Sequence, residues 1–238
     1  MVRSSKTSKL PIAVALDEDW KSSKKWLARL KGRVWGFKVG SILFTDEGPK
    51  VIEQILNQDY KVFLDLKFHD IPHTVEGAVK AAFAWGVSLT TVHAAGGQKM
   101  LEAAASQQTK SGSVAAISVL TSLDEMDLQS IGCSRKLEDQ MNVLSNLAVS
   151  SGIRGLVCSP IEVARLRAQF PQAQLVTPGV RLSEAHDQKR VGSLRGAIEG
   201  GSSLVVVGRA LTEAKKWEET WQQLTSSLDG ISLKKRSA

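Results

Sequence analysis

The chain has 238 residues, 42% of them hydrophobic and 23% charged, with 31 Lys and Arg against 24 Asp and Glu for a net charge of +7. This composition supports a sizeable core, and no apolar run reaches the ~20 residues of a membrane span. Two cysteines, Cys133 and Cys158, make neither a disulfide framework nor a zinc site and point to a reducing, cytoplasmic setting, while the positive balance favours anionic partners: a phosphorylated metabolite, nucleic acid or an acidic membrane.

Residues 1–9 are basic and Ser-rich without the apolar block of a secretory signal, and are expected to be a disordered lead-in. Eight short apolar runs follow, at residues 12–16, 34–39, 62–66, 88–92, 114–119, 155–158, 174–176 and 203–207. Most are rich in Val, Ile and Leu without strict alternation, as parallel strands covered on both faces are. Amphipathic stripes lie between and after them: Val75, Val79, Ala82 and Phe83; Leu137, Met141, Leu144 and Ala148; and a long one through Leu211, Ala214, Trp217, Trp221, Leu224 and Leu228. No linker or change of composition marks a second domain. The fold class predicted is α/β, a single (β/α)8 TIM barrel over residues 10–228, with an open doubly wound sheet as the alternative and residues 229–238 as a basic tail.

The third run carries the most unusual chemistry. In K-V-F-L-D-L-K-F-H-D-I-P-H-T-V, residues 61–75, Asp65 and Lys67 interrupt a strand and Asp70 follows it. Strand side chains alternate, so Asp65 and Lys67 share one face while Leu64, Leu66 and Phe68 share the other. Withdrawing an ion pair from water costs several kcal/mol per ion unless geometry compensates. An acid/base site explains that cost; a structural ion pair in a polar core is the plainer reading.

A barrel of this kind works at the C-terminal ends of its strands. The polar residues there are Asp17, Lys38, Asp65, Lys67, Asp70, His93, Thr121 with Ser122, Ser159 with Pro160, Pro178 with Gly179 and Arg181, and Gly208 with Arg209. Asp17, Lys38, Asp65, Lys67 and Asp70 are expected to form one mixed cluster, in which lysines held beside carboxylates act as general acids or as stabilisers of a carbanion. Two lysines in such a cluster would repel a divalent cation, so no metal is expected. T-P-G-V-R at 177–181 and V-V-V-G-R-A-L at 205–211 each pair a glycine with an arginine after the last two strands, where phosphate sites are frequently built. His69 and His73 are expected in structural or rim positions, with His93 hydrogen-bonded within the cluster. Nucleotide triphosphate, dinucleotide and zinc-protease motifs are absent.

With Asp17, Lys38, D-L-K-F-H-D-I-P-H-T at 65–74, V-L-T-S at 119–122, T-P-G-V-R and V-V-G-R-A in this order, the chain resembles the bacterial-type orotidine 5′-phosphate decarboxylase family over roughly residues 10–228. The resemblance implies a cofactor-independent, metal-free homodimer that converts orotidine 5′-monophosphate to uridine 5′-monophosphate and CO2. It implies that Lys67 protonates C6 of the pyrimidine, that Asp65 sits against the departing carboxylate, and that Asp17 and Lys38 hold the ribose hydroxyls and complete the charge array. Asp70, Ile71 and Thr74 would reach into the neighbouring subunit's site, Thr121 would meet the base and Pro178 line the pocket, and Arg181, Gln188, Gly208 and Arg209 would bind the phosphate. His73 stands where many relatives carry Asn, and the segment 182–187 is short beside other bacterial members.

Two rivals stand beside this reading. A magnesium-dependent sugar-phosphate decarboxylase or aldolase-like relative would use a similar D-x-K-x-x-D. A basic nucleic-acid-binding module would explain the charge but leaves buried ions in a strand unexplained and, with one Tyr, lacks a stacking surface. Neither nucleic acid nor membrane is expected as a partner.

Overall fold

Every strand of this chain is covered on both sides, which is why its strands need no polar face. The computed structural model describes residues 9–180 and 192–231. Its eight strands are β1 (Leu10–Leu16), β2 (Val34–Gly40), β3 (Lys61–Phe68), β4 (Leu89–His93), β5 (Ser113–Ile117), β6 (Gly155–Val157), β7 (Gln174–Thr177) and β8 (Leu204–Val207). They are parallel, pair in sequence order and close when β1 pairs with β8 through Ile12↔Val205, Ala13↔Val206 and Val14↔Val207. The expected (β/α)8 barrel is thus the observed fold.

Two layers of apolar side chains hold it. Inside the barrel, Ala13, Ala15, Phe63, Leu89, Ala115, Val176, Leu204 and Val206 pack together, small residues alternating with large ones so that the ring fills without a pore. Outside, the opposite faces of the strands bury residues such as Val14, Phe37, Val62 and Leu64 against the helices. Gly36 is required at the base of β2, because a Cβ there would lie 2.1 Å from the carbonyl oxygen of Lys61 on β3.

Two local expectations are revised. The fifth strand ends at Ile117, so Val119, expected at its end, joins Thr121 in the loop that follows it. The long stripe from Leu211 to Leu228 is two helices, Arg209–Thr212 and Trp217–Ser226, because the chain leaves helical geometry at Lys216 (φ −118, ψ 70). Trp217 then meets Trp26 edge-on at 5.8 Å, with the Arg29 guanidinium 5.0 and 4.9 Å from the two ring centres, so it is a partly buried staple where Trp221 is a core residue. The expected lead-in and tail lie largely outside the described residues; within them, Lys9 donates to the Asp59 carbonyl at 3.1 Å and Ile231 packs on the core.

Candidate active site

The charged residues of β3 meet through a break in the strand, not by simple alternation. Between the pairs Leu64↔Thr90 and Phe68↔Val92, β3 advances further than β4, a bulge that forces extra backbone into one strand. Lys67 absorbs it with φ +53, a left-handed conformation that costs a non-glycine residue about 1–3 kcal/mol. Thr91, fully buried on β4, secures the bulge: its Oγ1 accepts from the Lys67 N–H at 2.9 Å and donates to Asp65 Oδ1 at 2.9 Å. Leu64 and Leu66 turn to the outer core as expected.

The Lys67 ammonium donates to Asp65 Oδ2 at 2.9 Å; the same oxygen lies 3.8 Å from Lys38 Nζ, which donates to Asp17 Oδ1 at 2.9 Å. Charges therefore alternate from β1 through β2 to β3, with Thr91 on β4 as the hydroxyl support. The inner members Lys38 and Asp65 have side chains 12% and 14% exposed, against 39% and 44% for Lys67 and Asp17 at the two ends. Gly40, just past Lys38, leaves room for this chain, since a Cβ there would stand 3.0 Å from Lys38 Nζ and 3.2 Å from Asp17 Oδ1.

These groups open on a cavity of about 220 Å³, lined by Lys38, Asp65 and Lys67 on one side and by Thr121, Cys158, Ser159, Glu162 and Pro178 among others, with apolar walls from Phe63, Ile117, Val119, Val157, Val176 and Val206. A larger cleft of about 890 Å³ is lined by Lys61, Lys110 and Arg154 with no carboxylate, so it offers no acid/base pair. Of the two, the smaller cavity is the one that brings carboxylates and lysines together.

Asp70 departs from the expected five-member cluster. It is exposed, its Oδ1 accepts from the Ile71 N–H at 2.6 Å, and no ion pair joins it to either lysine among the described residues. The reason is local: Pro72 opens the helix Pro72–Ala84 directly after Ile71, so the chain turns outward before Asp70 can face the cavity. Ile71 and Thr74 are exposed on the same turn. His93 does not bond into the array. Its Nδ1 accepts from the Ala95 N–H at 3.3 Å, its ring stacks on His69 at 5.2 Å, and burial, with His69 and Lys67 nearby, lowers its pKa from 6.5. Burial pushes the Cys158 thiol up to about 12.

Gly208 and Arg209 begin the helix Arg209–Thr212 beside Asp17: a Cβ on Gly208 would lie 3.9 Å from Asp17 Oδ2. Arg181 and Gln188 lie outside the described residues, whose flanks Val180 and Gly192 form a β-bridge. Thr91 is the site residue that sequence reasoning missed; the signal was a hydroxyl in the strand next to the Asp65-Lys67 pair.

A model of the family described as orotidine 5′-phosphate decarboxylase / HUMPS matches residues 10–224. The orotidine 5′-phosphate decarboxylase of Nitrosospira multiformis is 40% identical over 226 residues, covering 92% of this chain and 94% of that protein. That of Psychromonas ingrahamii is 39% identical over 225 residues, covering 91% and 96%. Among solved structures, orotidine 5′-phosphate decarboxylase from Lactobacillus acidophilus superposes with a TM-score of 0.79 at 32% identity, covering 92% of this chain and 99% of that one.

Proposed function

The chain belongs to the orotidine 5′-phosphate decarboxylase / HUMPS family and is a carboxy-lyase of pyrimidine biosynthesis, and we propose that it turns orotidine 5′-monophosphate into uridine 5′-monophosphate with Lys67 as the proton donor. The bond from C6 of the base to its carboxylate breaks, CO2 leaves, and the electron pair stays on C6. The Lys67 ammonium stabilises that charge as it develops, then passes a proton from Nζ to C6 and is reprotonated from solvent. Asp65 holds the ammonium in place from 2.9 Å and faces the departing carboxylate. Asp17 and Lys38 bind the ribose hydroxyls, and Thr121 and Pro178 border the base.

Gly208 and Arg209 take the phosphate, together with Arg181 and Gln188. Phosphate binding far from C6 supplies energy that can be realised in the transition state. The enzyme acts as a cytoplasmic homodimer in which Asp70, Ile71 and Thr74 complete the neighbour's site; the 66% exposure of Ile71, a large apolar side chain on the rim, favours a covering partner.

The observation that carries the reading is the alternating Asp17–Lys38–Asp65–Lys67 chain on the wall of the 220 Å³ cavity. No organic cofactor or metal enters the scheme, which separates it from the magnesium-dependent alternative. An ultraviolet assay of orotidine 5′-monophosphate loss in excess EDTA is expected to give full turnover. Activity that vanishes with EDTA and returns with magnesium would favour the alternative.

A further inference from the structure

From the pair Leu64↔Thr90 to the pair Phe68↔Val92, β3 advances from 64 to 68 while β4 advances only from 90 to 92, so Asp65, Leu66 and Lys67 lie opposite Thr91 alone and the ladder is interrupted. Two threonine hydroxyls take over where it lapses. Thr90 Oγ1 donates to the Leu64 carbonyl at 2.9 Å, and Thr91 Oγ1 accepts from the Lys67 N–H and donates to Asp65 Oδ1, both at 2.9 Å. The Lys67 ammonium donates to the other oxygen of the same carboxylate, Asp65 Oδ2, at 2.9 Å. These bonds close a ring that runs from the Lys67 backbone through the Thr91 hydroxyl to the Asp65 carboxylate and back through the Lys67 side chain. Thr91 is 0% exposed, so no water competes for its hydroxyl. A threonine suits the place, because its oxygen accepts and donates at once and its branched Cβ restricts χ1.

We propose that Thr91 is a positioning residue for the proton transfer, its hydroxyl holding the Lys67 ammonium where charge develops on C6. The inference rests on the reading of Lys67 as the proton donor. A lysine carries its charge on a flexible four-carbon stem, and the φ of +53 at Lys67 persists only while its surroundings over-determine it. Without the Thr91 hydroxyl, the Lys67 N–H loses its acceptor, the strained turn loses its hold, and Asp65 is free to rotate about its last bond. The ammonium then drifts from the reacting carbon. Thr91 does not line the 220 Å³ cavity, so it acts on the substrate only through Lys67 and Asp65. Its loss should therefore register in the transition state, where a preorganised charge counts most, and not in nucleotide binding.

Two substitutions separate the hydroxyl from the packing around it. Thr91→Val keeps the branched shape and loses both bonds, whereas Thr91→Ser keeps the bonds and loses the methyl. Each is compared with wild type in steady-state turnover of orotidine 5′-monophosphate and in calorimetric binding of uridine 5′-monophosphate. Thr91→Val should lower kcat about a hundredfold, the cost of a misplacement near 1 Å, with nucleotide affinity unchanged, and Thr91→Ser should keep most of the wild-type kcat. Should Thr91→Val fail to fold, Thr91→Cys takes its place, since a thiol is a weaker donor and acceptor; its kcat should fall below that of Thr91→Ser, again with nucleotide affinity unchanged. Undiminished kcat in the variant that lacks or weakens the bonds, equal losses of kcat and nucleotide affinity, or a Thr91→Ser enzyme as impaired as that variant would each overturn the positioning role. Turnover in Lys67→Ala equal to that of wild type would instead overturn the proton-donor reading beneath it.

Discussion

Lys67 combines a strained backbone with a charged side chain whose ammonium, among the described residues, is anchored only to Asp65. Its removal should spare the fold and strike the proton transfer. Lys67→Ala is expected to lower kcat by at least about 10³-fold, in the range of general acid catalysis, while uridine 5′-monophosphate binding remains measurable by calorimetry; retained turnover would remove the acid role. His93 makes a separate prediction. Its folded pKa lies below the 6.5 of an unperturbed histidine, chiefly through burial. Above that pH the native and unfolded forms are both neutral. Below it the unfolded chain takes up a proton the native state resists, so stability falls with pH through this window. Urea midpoints above and below pH 6.5 should show the drop, and His93→Gln should flatten it. That Asp65 and Lys67 would meet was legible from their types, since two opposite charges inside an apolar strand call for each other. Their geometry was not: alternation alone would align Asp65 with Lys67, but the left-handed turn at Lys67 and its bond to Thr91 arise from a register shift with β4 that no local pattern encodes.

At the scale of elements, strands were legible because burial on both faces writes continuous apolar runs, and all eight lie within a few residues of where those runs fall. Loops and helix breaks were less so. V-L-T-S reads as a strand end by hydrophobicity, yet Val119 and Thr121 line the cavity from a loop, where an apolar wall is as useful to a substrate as to a core. The helix break before Trp217 is likewise hidden, since the apolar spacing continues through it while the Trp26–Trp217 contact fixes the turn from afar. The junction of β2 with the helix Ser41–Glu47 has a sharper consequence. Gly40 has φ −95 and ψ −177, open to any residue, so its need is spatial. In Gly40→Ala the new Cβ would press on Lys38 Nζ and Asp17 Oδ1. A loss of about tenfold in kcat/KM, ~1.4 kcal/mol, is expected with little change in melting temperature; steady-state kinetics beside a thermal melt would check both.

For the whole molecule, the closed ring accounts for why residues far apart in sequence share one mouth, and the exposed turn of Asp70, Ile71 and Thr74 makes a prediction about assembly. Chains carrying Asp70→Ala and chains carrying Lys67→Ala should each be inactive, and mixing them should restore measurable turnover through hybrid dimers that hold one intact site. No recovery in demonstrably mixed dimers would mean that each subunit works alone. Asp17, Lys38, Asp65, Lys67 and Thr91 all come from the first four strands, while Thr121, Pro178 and Gly208 come from the last four. In the proposed scheme the proton donor and its carboxylate partner thus lie in one semicircle, and the residues that take the base and the phosphate in the other. A chimera that borrows its second semicircle from a relative would bring a different guest to the same proton, a route by which one ancestral reaction could diversify without rebuilding its engine.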